Sequence, residues 1–305
     1  MGPAVNICVE EDASRIMQTS VLDIFSFHSY PDGSGGGHVS HNEITMPNMW
    51  ADLSNATWLR QSGPESDYAH TYSNATACIR AHNSLTGSKM PELWLTETNA
   101  AYTALQNGSD AFLNLYWYAT SLGQYAAAGL NLHTYFTLVG GGAAMIGCDP
   151  YVGCGYCSAS RMRPYPTYYF AVLHKRLVGT KVLRVAKAVG ANDPLVFAHC
   201  SKNRTGGVVL LFVNPSLHPV KLGEKREAGQ SGKFEQYTLT PHGSVNSSYV
   251  LLNDELLTLT SGGKLPSMSP VKHAATDDVL MPASSVGFVV FPQAEIQACV
   301  FHDLG

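Results

Sequence analysis

The chain has 305 residues, of which 45% are hydrophobic and 14% charged, and a net charge of −4. That length is enough to bury roughly three quarters of the unfolded surface and to make two domains. No apolar run reaches the roughly 18 residues of a membrane span, and Met1-Gly-Pro-Ala-Val-Asn-Ile-Cys8 lacks the charged-then-apolar pattern of a signal peptide. Residues 1–165 carry 6 Lys/Arg against 13 Asp/Glu, and residues 166–305 carry 13 against 10. Neither half shows the concentrated basic stripe of a nucleic-acid binder, so no nucleic acid is expected as a partner.

Other features point to the secretory pathway. Asn55, Asn74, Asn107, Asn203 and Asn246 each begin an Asn-x-Ser/Thr glycosylation signal. The 7 cysteines are an odd number, which leaves at least one unpaired or paired outside the chain. A secretory-looking body without a signal implies an extracellular or lysosomal protein, with membrane association left open, whose true N-terminus is absent.

Taken in order, residues 9–20 have the spacing of a short amphipathic helix, with Val9, Ala13, Ile16 and Met17 on one face. Val21 to His28 has strand character and is stopped by Tyr30-Pro-Asp-Gly33 and the glycines at 35–37. His28 and Tyr30 are two apart, so an extended chain turns both to one side. Helices are expected over Trp50–Arg60 and Tyr72–His82. Leu93, Trp94 and Leu95 then form an apolar strand that breaks at small polar residues, which places Glu97 at its end. In a parallel α/β barrel that edge carries the chemistry, and a carboxylate there can act as nucleophile or as general acid/base.

A helix is marked over Asp110–Ala128, with one buried face, Ser109 as its cap and Gly129 as its stop. Leu130–Val139 reads as the next strand, and Gly140-Gly-Gly142 lets backbone approach whatever lies at its end. Cys148, Cys154 and Cys157 share a loop. The Cys-x-x-Cys spacing invites a zinc reading, but a structural site asks for four ligands and no His lies between His133 and His174. A local disulfide is the expectation, and neither metal nor cofactor is called for. The pairing of Cys8, Cys78, Cys148, Cys154 and Cys157 stays open. A helix over 167–178, closed by Gly179, follows Pro164 and Pro166. Beyond it, short runs recur with no helix between them: Lys181–Val185, Leu195–His199, Gly207–Val213, Phe234–Leu239, Tyr249–Leu252, Val286–Phe291 and Ile296–Val300. They indicate a β-sandwich over 180–305 after an α/β part over 1–179.

Together these residues resemble glycoside hydrolase family 79, the heparanase and β-glucuronidase family. Leu93-Trp-Leu-Thr-Glu-Thr-Asn-Ala-Ala-Tyr102 is similar to the segment that holds the family's catalytic nucleophile, which implies that role for Glu97. Phe27-His-Ser-Tyr30 is similar to the segment whose His and Tyr line the sugar site, which implies substrate binding by His28 and Tyr30, with Gly141 and Gly142 also at the sugar. Tyr168 to Leu183 resembles the family's helix-to-sandwich junction. Ala198-His-Cys200 and Gln297-Ala-Cys299 resemble the flanks of the disulfide that ties the sandwich, implying a Cys200–Cys299 bond.

The implied fold is a (β/α)₈ TIM barrel plus a β-sandwich. Its strands six to eight would be the three read above, and the acid/base Glu would sit on a fourth strand absent from the chain. A missing N-terminal segment would then complete the barrel, and the chain alone would be inactive. The family expectation is a retaining hydrolase of glucuronic-acid-containing oligo- or polysaccharides, such as heparan sulfate. Two departures stand out. Gly142-Ala-Ala144 replaces the family's Gly-Asn-Tyr, and the acidic half suits sulfated chains poorly. An exo-β-glucuronidase on weakly sulfated or plant-type glycans and a non-catalytic glycan-binding protein are the alternatives.

Overall fold

The computed structural model describes residues 23–30, 54–62, 64, 91–100, 110–140, 144–148, 158, 161–185, 193–222 and 232–300. The helices expected over 9–20 and Tyr72–His82 lie outside them. β1 (Ile24–Ser29), β2 (Glu92–Thr98) and β3 (Leu132–His133) form a parallel sheet in the order β1-β2-β3. Among the described residues this sheet does not close into a barrel. Of the helix expected over Trp50–Arg60, residues 50–53 lie outside the described residues, and the described part is α1 (Ala56–Gln61). Asn55 caps it there by accepting from the Thr57 and Trp58 N–H groups.

α2 (Phe112–Ala127) differs from its expectation in two ways. The position before its first residue is Ala111, which makes no side-chain cap, and Ser109, the expected cap, lies outside the described residues. The orphan donors of its first turn are met across the fold instead: Phe112 N–H bonds the Ser247 carbonyl at 2.8 Å and Leu113 N–H that of Val245 at 2.9 Å. It is also buried nearly all round, from Phe112 through Ser121 and at Gly123 and Tyr125, instead of on one stripe. Gly129 ends it at φ +88°, as its lack of a Cβ permits. The strand expected over Leu130–Val139 is regular only at Leu132–His133. The chain beyond stays attached to β2 through Thr134 N–H to Leu95 O and Phe136 N–H to Thr98 O, each 2.9 Å. Val139 then bridges Ile146 of β4 (Ile146–Cys148), which pairs with β5 (Met162–Pro164).

α3 (Pro166–Leu177) starts on a proline, whose missing N–H costs nothing there. Gly179 does not close it. Val178 is at once the helix cap and the first residue of β6 (Val178–Leu183), and Gly179 lies in that strand because a Cβ would stand 2.7 Å from the Cys200 carbonyl oxygen. β7 (Leu195–Ser201), β8 (Val208–Asn214), β9 (Val220–Lys221), β10 (Phe234–Pro241), β11 (Val250–Leu252), β12 (Glu255–Leu256), β13 (Val271–His273), β14 (Leu280–Met281) and β15 (Ser285–Phe291) follow. Seven of the strands lie in the order β12-β11-β10-β15-β8-β7-β6, with β13 also on β10, in one antiparallel sheet; β9 pairs with β14 apart from it. The strand expected over Ile296–Val300 is a 3₁₀ turn at Gln297–Cys299, held against β7 by the Cys200–Cys299 disulfide.

Strand alternation gives this sheet two apolar faces. Val209, Leu211, Val213, Val286, Phe288 and Val290 join α2 and α3 in one core. Phe212, Phe234 and Val289 turn the other way, to Val279 and Met281 beside β14. The helices of the parallel part thus share a core with the antiparallel sheet, tightly enough that a Cβ on Gly123 would sit 2.3 Å from the Phe197 ring. Helix propensity favours Gly123→Ala by about 1 kcal/mol, but overpacking against that ring costs about 1–3 kcal/mol. Urea unfolding should show Gly123→Ala to be destabilised, and an unchanged or raised midpoint would contradict the packing.

Histidines are caught in this core. Burial lowers the His133 imidazole to about 3, with the charge of His174 adding to the effect, and burial lowers His174 to about 4, with His199 adding. Unfolded, both would titrate near 6.5. Their contribution is whole above pH 6.5 and is lost as pH falls towards 4, because the unfolded chain binds those protons first. We expect urea unfolding to show a loss on the order of 2 kcal/mol per imidazole between pH 7.5 and 5. A flat profile would show that the rings are solvated.

Candidate active site

Leu93, Leu95 and Glu97 are spaced by two, so a regular strand would turn all three to one side. It does not, because β2 carries an extra residue. Phe27 pairs with Leu95, and the next residue of β1, His28, pairs with Glu97. Thr96 is the bulged residue, and its hydroxyl donates to the Phe27 carbonyl at 3.3 Å. Leu95 pairs with His133, whose Nε2 meets Ser121 of α2 at 2.8 Å, so Leu95 faces the helices. The bulge reverses Glu97 to the opposite face, together with His28.

On that face His28 Nδ1 lies 3.5 Å from Glu97 Oε2, and the Tyr30 hydroxyl donates to Glu97 Oε1. The two oxygens are thus approached by different side chains. Tyr30 is buried, while the carboxylate and imidazole are about a quarter exposed, 26% and 25%, and so can be reached from solvent. After the site, Thr98 turns back inward and its hydroxyl donates to the Ser29 carbonyl at 2.5 Å. The structure therefore brings together Glu97, His28 and Tyr30. Gly141 and Gly142 lie outside the described residues, as do Asn74 and Asn107.

A second layer escaped the sequence reading. Asn99, 2% exposed, accepts from its neighbour Ala100 N–H and from Asn114 of α2, and donates to the Phe136 carbonyl at 2.8 Å. Asn114 also donates to the Tyr135 hydroxyl at 2.9 Å, and burial pushes that phenol above its ordinary range. This network fixes the ends of β2 and β3 against each other. Its one sequence signal was an Asn immediately after a strand, too common to single out.

Among the described residues no group of three or more His, Cys, Asp or Glu could hold a metal. Cys148 is disulfide-bonded. Cys200 and Cys299, the pair implied by the family resemblance, are bonded to each other. Asn55, Asn203 and Asn246 are exposed. No described helix is long and apolar enough to cross a membrane.

No protein-family model matches the chain. Over 96% of its length it is 32% identical to a baicalin-β-D-glucuronidase of Scutellaria baicalensis, of which it covers 50%. It is 25% identical to heparanase-like protein 2 of Arabidopsis thaliana, over 93% of this chain and 53% of that one. It is 30% identical to a heparanase of Gallus gallus, over 68% of this chain and 39% of that one. The chain spans about half the length of the curated relatives it matches. Among solved structures it resembles a family 51 arabinofuranosidase of Xanthomonas axonopodis, with a TM-score of 0.56 and 14% identity over 92% of this chain and 56% of that one. It also resembles a 4-O-α-L-rhamnosyl-β-D-glucuronidase of Fusarium oxysporum, with a TM-score of 0.55 and 13% identity over 87% and 52%. At such identities the two likenesses speak for the fold alone.

The Asn99 network yields a stability test. Asn99→Ala removes one acceptor of the Asn114 amide, the acceptor of the Ala100 N–H and the donor to the Phe136 carbonyl, which costs about 1–3 kcal/mol. Chemical denaturation should show that loss, and a change below about 0.5 kcal/mol would mean that water replaces the amide.

Proposed function

The chain belongs to glycoside hydrolase family 79, the heparanase and β-glucuronidase family, and from that premise we propose that Glu97 is the nucleophile of a retaining hydrolase acting on β-linked glucuronides. The observation that carries this reading is the arrangement on β1 and β2, where Tyr30 and His28 address separate oxygens of one carboxylate at the C-terminal edge of parallel strands. A carboxylate steadied in this way is held in one orientation while staying about a quarter exposed. It can attack the anomeric carbon to form a glycosyl-enzyme ester, while a second carboxyl about 5–5.5 Å away protonates the departing oxygen and then activates water. In this reading β1 to β3 are the sixth to eighth strands of a (β/α)₈ barrel, a β-sandwich spans 180–305, and the acid comes from polypeptide other than the described residues. Without that acid a factor of about 10²–10⁴ in rate is forfeited. His28 and Tyr30, with Gly141 and Gly142, would hold the uronic acid sugar.

Heparan sulfate and related glycans are one substrate class. A second reading, an exo-acting β-glucuronidase on weakly sulfated glycans, is favoured by the 13 acidic against 6 basic residues of 1–165, which repel a sulfated polymer. Faster turnover of an unsulfated aryl glucuronide than of sulfated polymer would support the second. An extracellular or lysosomal setting is supported by the Cys200–Cys299 bond and by exposed Asn55, Asn203 and Asn246.

The nucleophile is tested without needing the acid. A 2-fluoro dinitrophenyl β-glucuronide has a leaving group that departs unprotonated, so intact-mass spectrometry should show one fluoroglucuronyl adduct, mapped to Glu97 and absent from Glu97→Gln. No adduct on protein that is folded by circular dichroism overturns the assignment.

A further inference from the structure

Two threonine hydroxyls tie the strand of Glu97 to the strand of His28. Thr96 donates to the Phe27 carbonyl at 3.3 Å and Thr98 to the Ser29 carbonyl at 2.5 Å, so the two bonds bracket Glu97 on β2 and His28 on β1. They are not equal. Thr96 is half-buried, whereas Thr98 and Ser29 are 1% and 5% exposed, so the Ser29 carbonyl has little water to turn to if its donor is removed.

Ser29 is the last residue of β1 and pairs with Thr98, and Tyr30 lies just beyond that ladder. The Ser29 carbonyl shares a rigid peptide plane with the Tyr30 nitrogen. Fixing that oxygen fixes the plane, and with it the point from which the Tyr30 side chain reaches back to Glu97 Oε1. Thr98 is itself anchored on the other side, where its carbonyl accepts from the Phe136 N–H at 2.9 Å.

We propose that Thr98 is a positioning residue for the nucleophile, acting through the Ser29–Tyr30 peptide to hold the Tyr30 hydroxyl on Glu97. This rests on the reading of Glu97 given above. Thr98 is closed to the sugar by its own burial, so its effect reaches the chemistry through Tyr30. The carboxylate has to meet the anomeric carbon in a near-attack geometry, and letting it swing away costs on the order of tenfold in rate.

A double-mutant cycle in the full chain tests this. Thr98→Val keeps the branched shape and drops the hydroxyl, Thr98→Ser keeps the hydroxyl, and Tyr30→Phe removes the bond at the far end. Each variant is checked for folding by circular dichroism and treated with the 2-fluoro dinitrophenyl β-glucuronide, one dinitrophenolate leaving for each ester formed. At saturating reagent, Thr98→Val should slow that release about tenfold and Thr98→Ser less than about threefold. Thr98→Val combined with Tyr30→Phe should be no slower than Tyr30→Phe alone. Urea unfolding of the same chains gives a reading that needs no chemistry. Tyr30→Phe should lower the folding constant about tenfold in the natural chain and less than about threefold in Thr98→Val, where its bond is already slack. Losses that multiply in either measurement, an unchanged rate in Thr98→Val, or a Thr98→Ser chain as slow as Thr98→Val each overturns the role. Should the folded natural chain take no label, the nucleophile is lost, and the unfolding cycle by itself upholds or overturns Thr98.

Discussion

Thr96 is one residue more than the pairing of β1 and β2 can use, and the site hangs on that surplus. Up to Leu95 the strand obeys its period and buries alternate side chains against the helices. With Thr96 folded aside onto the Phe27 carbonyl, the period slips by one, and Glu97 leaves the buried face for the one that holds His28. A local backbone irregularity thus converts a residue patterned for burial into one presented to ligand, without any change in the strands that carry it. Tyr30 and His28 then define the carboxylate from the neighbouring strand, which is rigid, instead of from a loop.

The rigidity comes from α2. It carries Asn114 to the Asn99 and Tyr135 network, Ser121 to His133, and Gly123 to the Phe197 ring on β7. Its N-terminal donors are spent on carbonyls of the turn between β10 and β11. One helix therefore braces the ends of the parallel strands and the antiparallel sheet together, which explains why it is buried all round and why its glycine is a packing requirement. A partly folded chain with α2 undocked would have neither an ordered β2 end nor a covered sheet.

Much of this was legible in residue patterns. β7, β8, β10 and β15 lie within a residue or two of where their short runs put them, and they are buried almost throughout because each has two faces to fill. Glu97, His28 and Tyr30 were marked as candidates by their place at strand ends. What escaped has a physical cause in each case. The bulge at Thr96 leaves no trace in composition, since a threonine fits a regular strand equally well. β9, β12, β13 and β14 are two or three residues long, below the length at which alternation can be seen. That the first N–H groups of α2 go to carbonyls of a distant turn is decided by the tertiary fold, which local sequence does not show.

The junction at Val178 has a further meaning. Because the last turn of α3 becomes the first residue of β6 without an intervening linker, and Gly179 is wedged beneath the Cys200 carbonyl, there is no hinge between the helical layer and the sheet. Any movement of α3 about this point must carry the antiparallel sheet with it. A ligand reaching Glu97 meets strands whose covering helices are already seated on that sheet through one shared core.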